Sequence, residues 1–444
     1  MVRKTLSCCL YVAALTLCSV QPSYGQFFGG GFNRAVGGVS VDAEGVLSTP
    51  SVVDQQAIDA ARADAQIDAP ADLEKFTELR SVSLKWLEEN IARCKAENKP
   101  LPPEVEFVAG LQRVRYVFAY PERQDIVLVG PAEGWKIDEL GNVVGLTTNR
   151  PVILLDDLMA ALRSGPQSRV EAITCSIDPT PAGLERVQQV ISQMRTIGNP
   201  DETAASIESA LGPQRITVTG VPATSHFART LVAADFRMKR LAMNFEAAPI
   251  GGLPSFLQMM RGGARGMQSM TPRWWLAPNY EPLAQDAEGM SWELRGPGVK
   301  CLTETDYVAA SGQKQQTGQS DPTAAKWADL MTEHYEELAA HDSTFGQLRN
   351  LMDLAVIGAI VEREQMFERA GLQAPELLGG QSLVRFPAPT QTASKASLLK
   401  KGRNWIVTAS GGVEMLPWSV VENNEAVSSL AEVRSQFGEG AGSF

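Results

Sequence analysis

Between about residue 105 and residue 248, short runs rich in β-branched and aromatic residues alternate with longer stretches of helical period, and this limits the fold more than any other feature. Residues 113–120 and 125–129 read as strands, with Pro121-Glu122 in the turn between them. Residues 152–155 read as a buried strand leading into a helix over 157–163, and 170–177 as a further strand. Pro181 opens a helix to about residue 197. A helix near 201–211, a strand at 215–220 and a long helix from Ser225 to about Asn244 follow. A sheet buries its apolar face only against another layer, so this order predicts an α/β domain over 105–248.

The flanking segments extend the pattern. Residues 26–50 are glycine-rich, and within them 39–47 reads as a short hairpin, a figure repeated at 135–143. In both, Asp (Asp42, Asp138) caps the turn and Gly (Gly45, Gly141) takes the positive φ. Residues 51–104 form a helical segment, with helices at 51–66 and 72–98. Phe76, Leu79, Val82, Trp86 and Leu87 give the second helix an apolar stripe, and Pro100, Pro102 and Pro103 stop it. Residues 249–310 form a β-containing region with an aromatic segment, and 311–321 a polar linker. Residues 322–372 give a helical pair, 322–341 and 344–370, the second nearly all apolar at its centre. Residues 373–444 hold a small β-hairpin, 404–408 with 412–415 around Ser410-Gly411-Gly412, and a tail helix near 423–435. The class is therefore α/β to α+β: a mixed layered sheet-and-helix region, then a helical pair and a small C-terminal β-hairpin.

The N-terminus reads as an export signal over residues 1–25. Arg3 and Lys4 precede an apolar run from Leu6 to Val20, and Ser23-Tyr24-Gly25 places small residues where a signal peptidase reads them. The run falls short of the ~20 apolar residues a spanning helix needs. The expectation is a mature chain starting near Gln26 in the periplasm or outside the cell, with no integral membrane insertion after cleavage. Removing Arg3 and Lys4 takes the formal charge from −11 to about −13, which argues against nucleic acid as a partner. Cys94, Cys175 and Cys301 remain after cleavage. Three allow at most one internal bridge, with Cys94 and Cys301 left as an open pairing.

The stretches DIVLVGPAEGW (125–135), NRPVILLDDLMAALR (149–163), CSIDPTPAGL (175–184), LVAADFRMKRLAM (231–243), PRWWLAPNYEPL (272–283), WELRGPGVK (292–300) and KWADLMTEHYEEL (326–338) carry a further signal. Together they resemble a family of exported planctomycete proteins with no assigned function, over roughly residues 105–370. The resemblance implies an extracytoplasmic bacterial setting and supplies no catalytic residue.

Gly-x-Ser-x-Gly, His-Glu-x-x-His, Cys-x-x-Cys and Walker patterns are missing from the chain. Asp156 and Asp178 follow predicted strands, where α/β proteins place chemistry, although Asp156 also suits a helix cap. His334, Glu337 and His341 fall on one helical face as a candidate metal set, yet the two histidines are about 10 Å apart along the axis, wide for one ion. Arg261, Arg265 and their glycines form a loop able to hold an anion. Arg273, Trp274, Trp275 and Tyr280 concentrate aromatic surface in a proline-bounded segment, the preferred binding candidate. The sequence thus favours an exported, non-enzymatic binding or structural protein of the cell envelope, contacting a protein or glycan and carrying no cofactor. The alternative is an extracytoplasmic hydrolase using strand-end carboxylates or a His-bound metal.

Overall fold

The computed structural model describes residues 35–36, 39–42, 44–51, 55–56, 59, 69–194, 199–260, 268–270, 272–308, 314–316, 321–379, 385–401 and 403–437. The export signal, the Arg261–Arg265 loop, most of the 51–66 helix and most of the 311–321 linker lie outside them. Lys314–Gln316, inside that linker, forms an edge strand.

A ten-stranded mixed sheet is the frame, and its strands come from both halves of the chain. Five strands form its middle: β1 (Ile173–Asp178), β2 (Gln214–Thr219), β3 (Pro272–Asn279), β4 (Gly298–Val308) and β5 (Ser410–Met415). Their spatial order is β2-β1-β5-β3-β4. Neighbours run antiparallel except β5 and β3, which are parallel. The first hairpin joins the β2 side through Gln391–Thr392. Segments separated in sequence at 249 and 311 therefore contribute adjacent strands.

The period-2 pattern decides which face is covered. Along β1, Ile173, Cys175 and Ile177 are buried while Thr174, Ser176 and Asp178 are partly exposed. Three helices cover the apolar face: α1 (Leu155–Ser164) lies behind α2 (His226–Ala242) and α3 (Ser343–Arg363), which meet the strands. Helix α3 is buried from Ser343 to Val361, which explains its apolar character all round. It approaches α1 closely because Gly358 has no side chain; a Cβ there would lie 2.4 Å from the Ala161 carbonyl oxygen. One apolar cluster runs from Val39 to Val421.

A second sheet of six strands includes Thr77–Ser83, Tyr116–Tyr120 and Asp125–Ala132. Tyr116–Tyr120 is buried on both faces: Val117 and Ala119 join the main core, while Tyr116, Phe118 and Tyr120 face the C-terminal helix Ser429–Gln436. Both small hairpins form as expected. Asp42 Oδ1 accepts from the Glu44 and Val46 amides, and Asp138 Oδ1 from those of Leu140 and Asn142, with Gly45 and Gly141 at φ of +79° and +82°.

Four readings of the sequence are corrected. Residues 77–83 form a strand instead of the start of a helix, which begins at Leu84. Ser83 accepts from the Trp86 amide and donates to Asp125 across the sheet, and Phe76 and Leu79 of the supposed stripe stay exposed. Residues 152–154 are not a strand; the chain passes from a bridge at Pro151 into α1. The C-terminal hairpin pairs Ser397–Lys401 with Arg403–Val407, while β5 enters the main sheet. The first helix of the pair stops at Glu333, His334 takes φ −92° and ψ 5°, and Tyr335–His341 begins anew.

Candidate functional site

Strand β3 exposes part of the aromatic segment. Its antiparallel partners place Trp275 opposite Leu302, Ala277 opposite Lys300 and Arg273 opposite Glu304. Directly opposed side chains share a face, so these six project from the side of the sheet that the helices leave open. On the other flank, Gly412 of β5 sits beside Trp275 and offers no side chain. A Cβ at Gly412 would lie 1.8 Å from the Cys175 carbonyl oxygen, so this strand cannot cover the indole with a larger residue. The Arg273 guanidinium stacks 5.2 Å from the Trp275 ring centroid.

A cavity of about 310 Å³ opens here, lined by Trp275, Ala277, Pro278 and Tyr280 of the aromatic segment. Lys300 and Leu302 come from β4, and Glu414, Leu416, Ser419 and Asn423 from β5 and the turn of helix after it. Its volume is at the lower end of the ~300–1,000 Å³ typical of small-ligand sites. Leu302 and Leu416 are exposed apolar residues at its rim, 36% and 49% accessible. Two aromatic residues, one cation, one carboxylate and the neutral polar Ser419 and Asn423 thus surround an apolar floor.

The four aromatic-segment candidates therefore divide. Trp274 is fully buried: its Nε1–H donates to the Ala324 carbonyl, and its ring meets Phe256 and Trp327 edge-on at 5.1 and 4.9 Å. It belongs to the core, because adjacent residues on a strand face opposite ways. Tyr280 lines the groove, and its hydroxyl is turned inward, donating to Asp353 Oδ1 at 2.6 Å. Burial first, then the Asp353 charge, pushes the Tyr280 hydroxyl well above its ordinary pKa. Trp275 and Arg273 stay partly exposed.

The carboxylate candidates lie in different surroundings. Asp156 follows no strand and does not cap α1, whose N-cap is Leu154 without a side-chain bond; it occupies the first turn, near Glu106 and Arg163. Asp178 ends β1 opposite Arg215, in the field of the buried Asp235. Asp235 is pushed up to about 6 by burial, against the opposing pull of Lys239, whose ammonium donates to it at 2.9 Å.

Nor do the histidines assemble a metal site. Glu337 turns its carboxylate to His334 Nδ1 at 3.4 Å, whereas His341 Nδ1 donates to the Glu337 backbone carbonyl at 2.9 Å. Among the described residues no three His, Cys, Asp or Glu side chains gather as metal ligands. Cys94, Cys175 and Cys301 are separate buried thiols, so the Cys94–Cys301 bridge does not form. Burial pushes the Cys175 and Cys301 thiols up, away from reactive thiolate.

One pair went unread in the sequence. His226, the first residue of α2, directs Nδ1 at Asp157 Oδ2 and Oδ1, 2.9 and 3.1 Å away, with both residues buried. Sixty-nine positions separate them, and no local spacing connects them.

Residues 175–256 match a family described as protein of unknown function (DUF1598). The match begins within β1 and runs through β2 and α2 to Phe256, so it takes in His226, Asp235 and Lys239 but stops before the aromatic segment. No curated protein and no solved structure matches the chain. Among the described residues, no helix is long and apolar enough to cross a membrane.

Proposed function

We propose that this is an exported, non-enzymatic binding protein of the cell envelope, and that it holds a glycan in the Trp275 groove. The observation that carries the reading is the partly exposed Trp275 ring beside Gly412, in a cavity that also presents Lys300 and Glu414. A pyranose ring has an apolar C–H face and a hydroxyl rim. An aromatic ring complements the first; a cation, a carboxylate, Ser419 and Asn423 complement the second. A protein partner would call for a larger apolar centre than the two exposed leucines provide.

The export part of the proposal is supported by the basic, apolar and small-residue order of positions 1–25. The hydrolase alternative draws less support, since Asp156 and Asp178 sit in separate surroundings and His334 and His341 do not converge.

The test is retention of the mature chain on purified envelope polysaccharide, with wild type and Trp275→Ala compared at equal concentration. Loss of the stacking ring should weaken binding about tenfold or more, equivalent to roughly 1.4 kcal/mol, with an unchanged thermal midpoint. Equal retention of the two proteins would rule out the groove as the binding surface.

A further inference from the structure

A second cavity, of about 180 Å³, lies on the helix-covered side of the main sheet, where Gln391–Thr392 joins the first hairpin to β2. Leu47, Ile177, Phe236, Met243 and Phe245 give it apolar walls. Phe236 belongs to α2, and Met243 and Phe245 follow that helix directly. No residue lines both this cavity and the Trp275 groove.

Lys239, Arg240 and Lys395 also line the cavity, and each of these cations is already answered. The Lys239 ammonium has three N–H donors. They reach Asp235 Oδ2 at 2.9 Å, the Ile177 carbonyl at 2.8 Å and the Gly411 carbonyl at 3.2 Å. Arg240 donates from Nε to Glu246 at 3.2 Å, and Lys395 lies 3.4 Å from Glu208. A charged guest would therefore lose its hydration here without gaining a free counter-charge.

Gln214 is the polar group left over. It is 8% exposed, and its side-chain amide makes no hydrogen bond among the described residues. Register fixes where that amide faces. Ile216, two residues further along β2, stands opposite Ile177 on the helix-covered side, and the period of two puts Gln214 on the same side. Thr392, the strand partner of Gln214, gives its hydroxyl proton to the Leu47 carbonyl at 2.9 Å instead.

Size and chemistry then limit the guest. A cavity of about 150 Å³ with aliphatic and aromatic walls admits one benzene ring. About 180 Å³ takes one ring with a small substituent. A primary amide both donates and accepts, and a second amide edge, with N–H beside C=O, answers both functions at once. We propose that this cavity binds a neutral single-ring molecule bearing a carboxamide or lactam edge, which pairs with Gln214.

Calorimetric titration of the full chain tests it, with benzamide, δ-valerolactam, benzoate and benzene used separately. Saturable one-site binding of benzamide or the lactam is expected, at least tenfold tighter than binding of benzoate or benzene. Gln214→Leu keeps the apolar volume and should weaken the amide probes tenfold or more while leaving benzene unchanged. A second measurement needs no variant: the wild-type thermal midpoint should rise with benzamide and not with benzoate at equal concentration. No saturation by either amide probe, equal affinity for benzamide and benzoate, or equal amide binding by Gln214→Leu would overturn the assignment. So would loss of the amide binding in Trp275→Ala, which would place it in the other groove.

Discussion

Glu106 is the side chain whose ionisation should most clearly mark the stability of this fold. It ends the short helix Pro103–Glu106, and its carboxyl is pushed up to about 7 from an ordinary value of 4.5, first by burial and second by the negative charge of Asp156. A raised carboxylate pKa means that the folded chain binds this proton more tightly than the unfolded chain. The contribution is fully present below pH 4.5, declines as pH rises and is lost above about 7. The full shift corresponds to about 3 kcal/mol; allowing for partial solvent screening leaves about 2 kcal/mol. Glu106→Gln keeps the shape of the side chain and removes the ionisation. The variant should match wild type near pH 4.5 and exceed its stability by about 2 kcal/mol at pH 8. Urea denaturation followed by tryptophan fluorescence, run on both proteins at both pH values, isolates the effect, because Asp235 titrates alike in each. An increment of the same size at both pH values, or a variant no more stable than wild type at pH 8, would refute the argument that burial of this carboxylate is uncompensated.

Two further outcomes follow from the placement of particular residues. Trp274→Ala removes an indole from between Phe256 and Trp327 and strands the Ala324 carbonyl, so it should cost about 3–5 kcal/mol in denaturation. A loss under about 1 kcal/mol would contradict its place in the core. If residues 1–25 are an export address, N-terminal sequencing of protein recovered outside the producing cytoplasm should begin near Gln26; an intact Met1 on such protein would contradict cleavage.

Much of the layered sheet-and-helix pattern could be read because its elements obey local rules. Strand β1 alternates strictly, α2 begins at a Ser cap, and both small hairpins carry the Asp and Gly their turns require. The errors arose where a tertiary contact decides. Phe76, Leu79 and Val82 satisfy a helical spacing, yet the bond from Ser83 to Asp125 and pairing with Asp125–Ala132 make that stretch a strand. Gly411 and Gly412 resemble turn residues but lie inside β5. A Cβ at Gly411 would meet the Trp274 carbonyl oxygen at 1.6 Å, so these glycines serve close strand packing. Nothing local distinguishes a glycine needed for a turn from one needed for contact with a strand 137 residues away.

The same division explains how much of the candidate site was legible. A Trp-Trp doublet in an extended segment must send one ring to each face of its sheet. The sequence therefore located the aromatic surface but not which indole formed it. That choice depends on β4 and β5: Cys301, paired with Leu276, joins the buried face, while Gly412 leaves Trp275 partly exposed. Lys300 and Glu414 went unnoticed because their relation to Trp275 exists only through register across three strands. Arg349 was hidden for a different reason. On a helix buried all round, an arginine reads as an interruption of the apolar run, and only its position one turn from an Asp353 already held by Arg113 and Tyr280 explains why its Nε has no hydrogen-bond partner. In this fold, the polar groups that most need a partner lie where sequence periodicity carries least information.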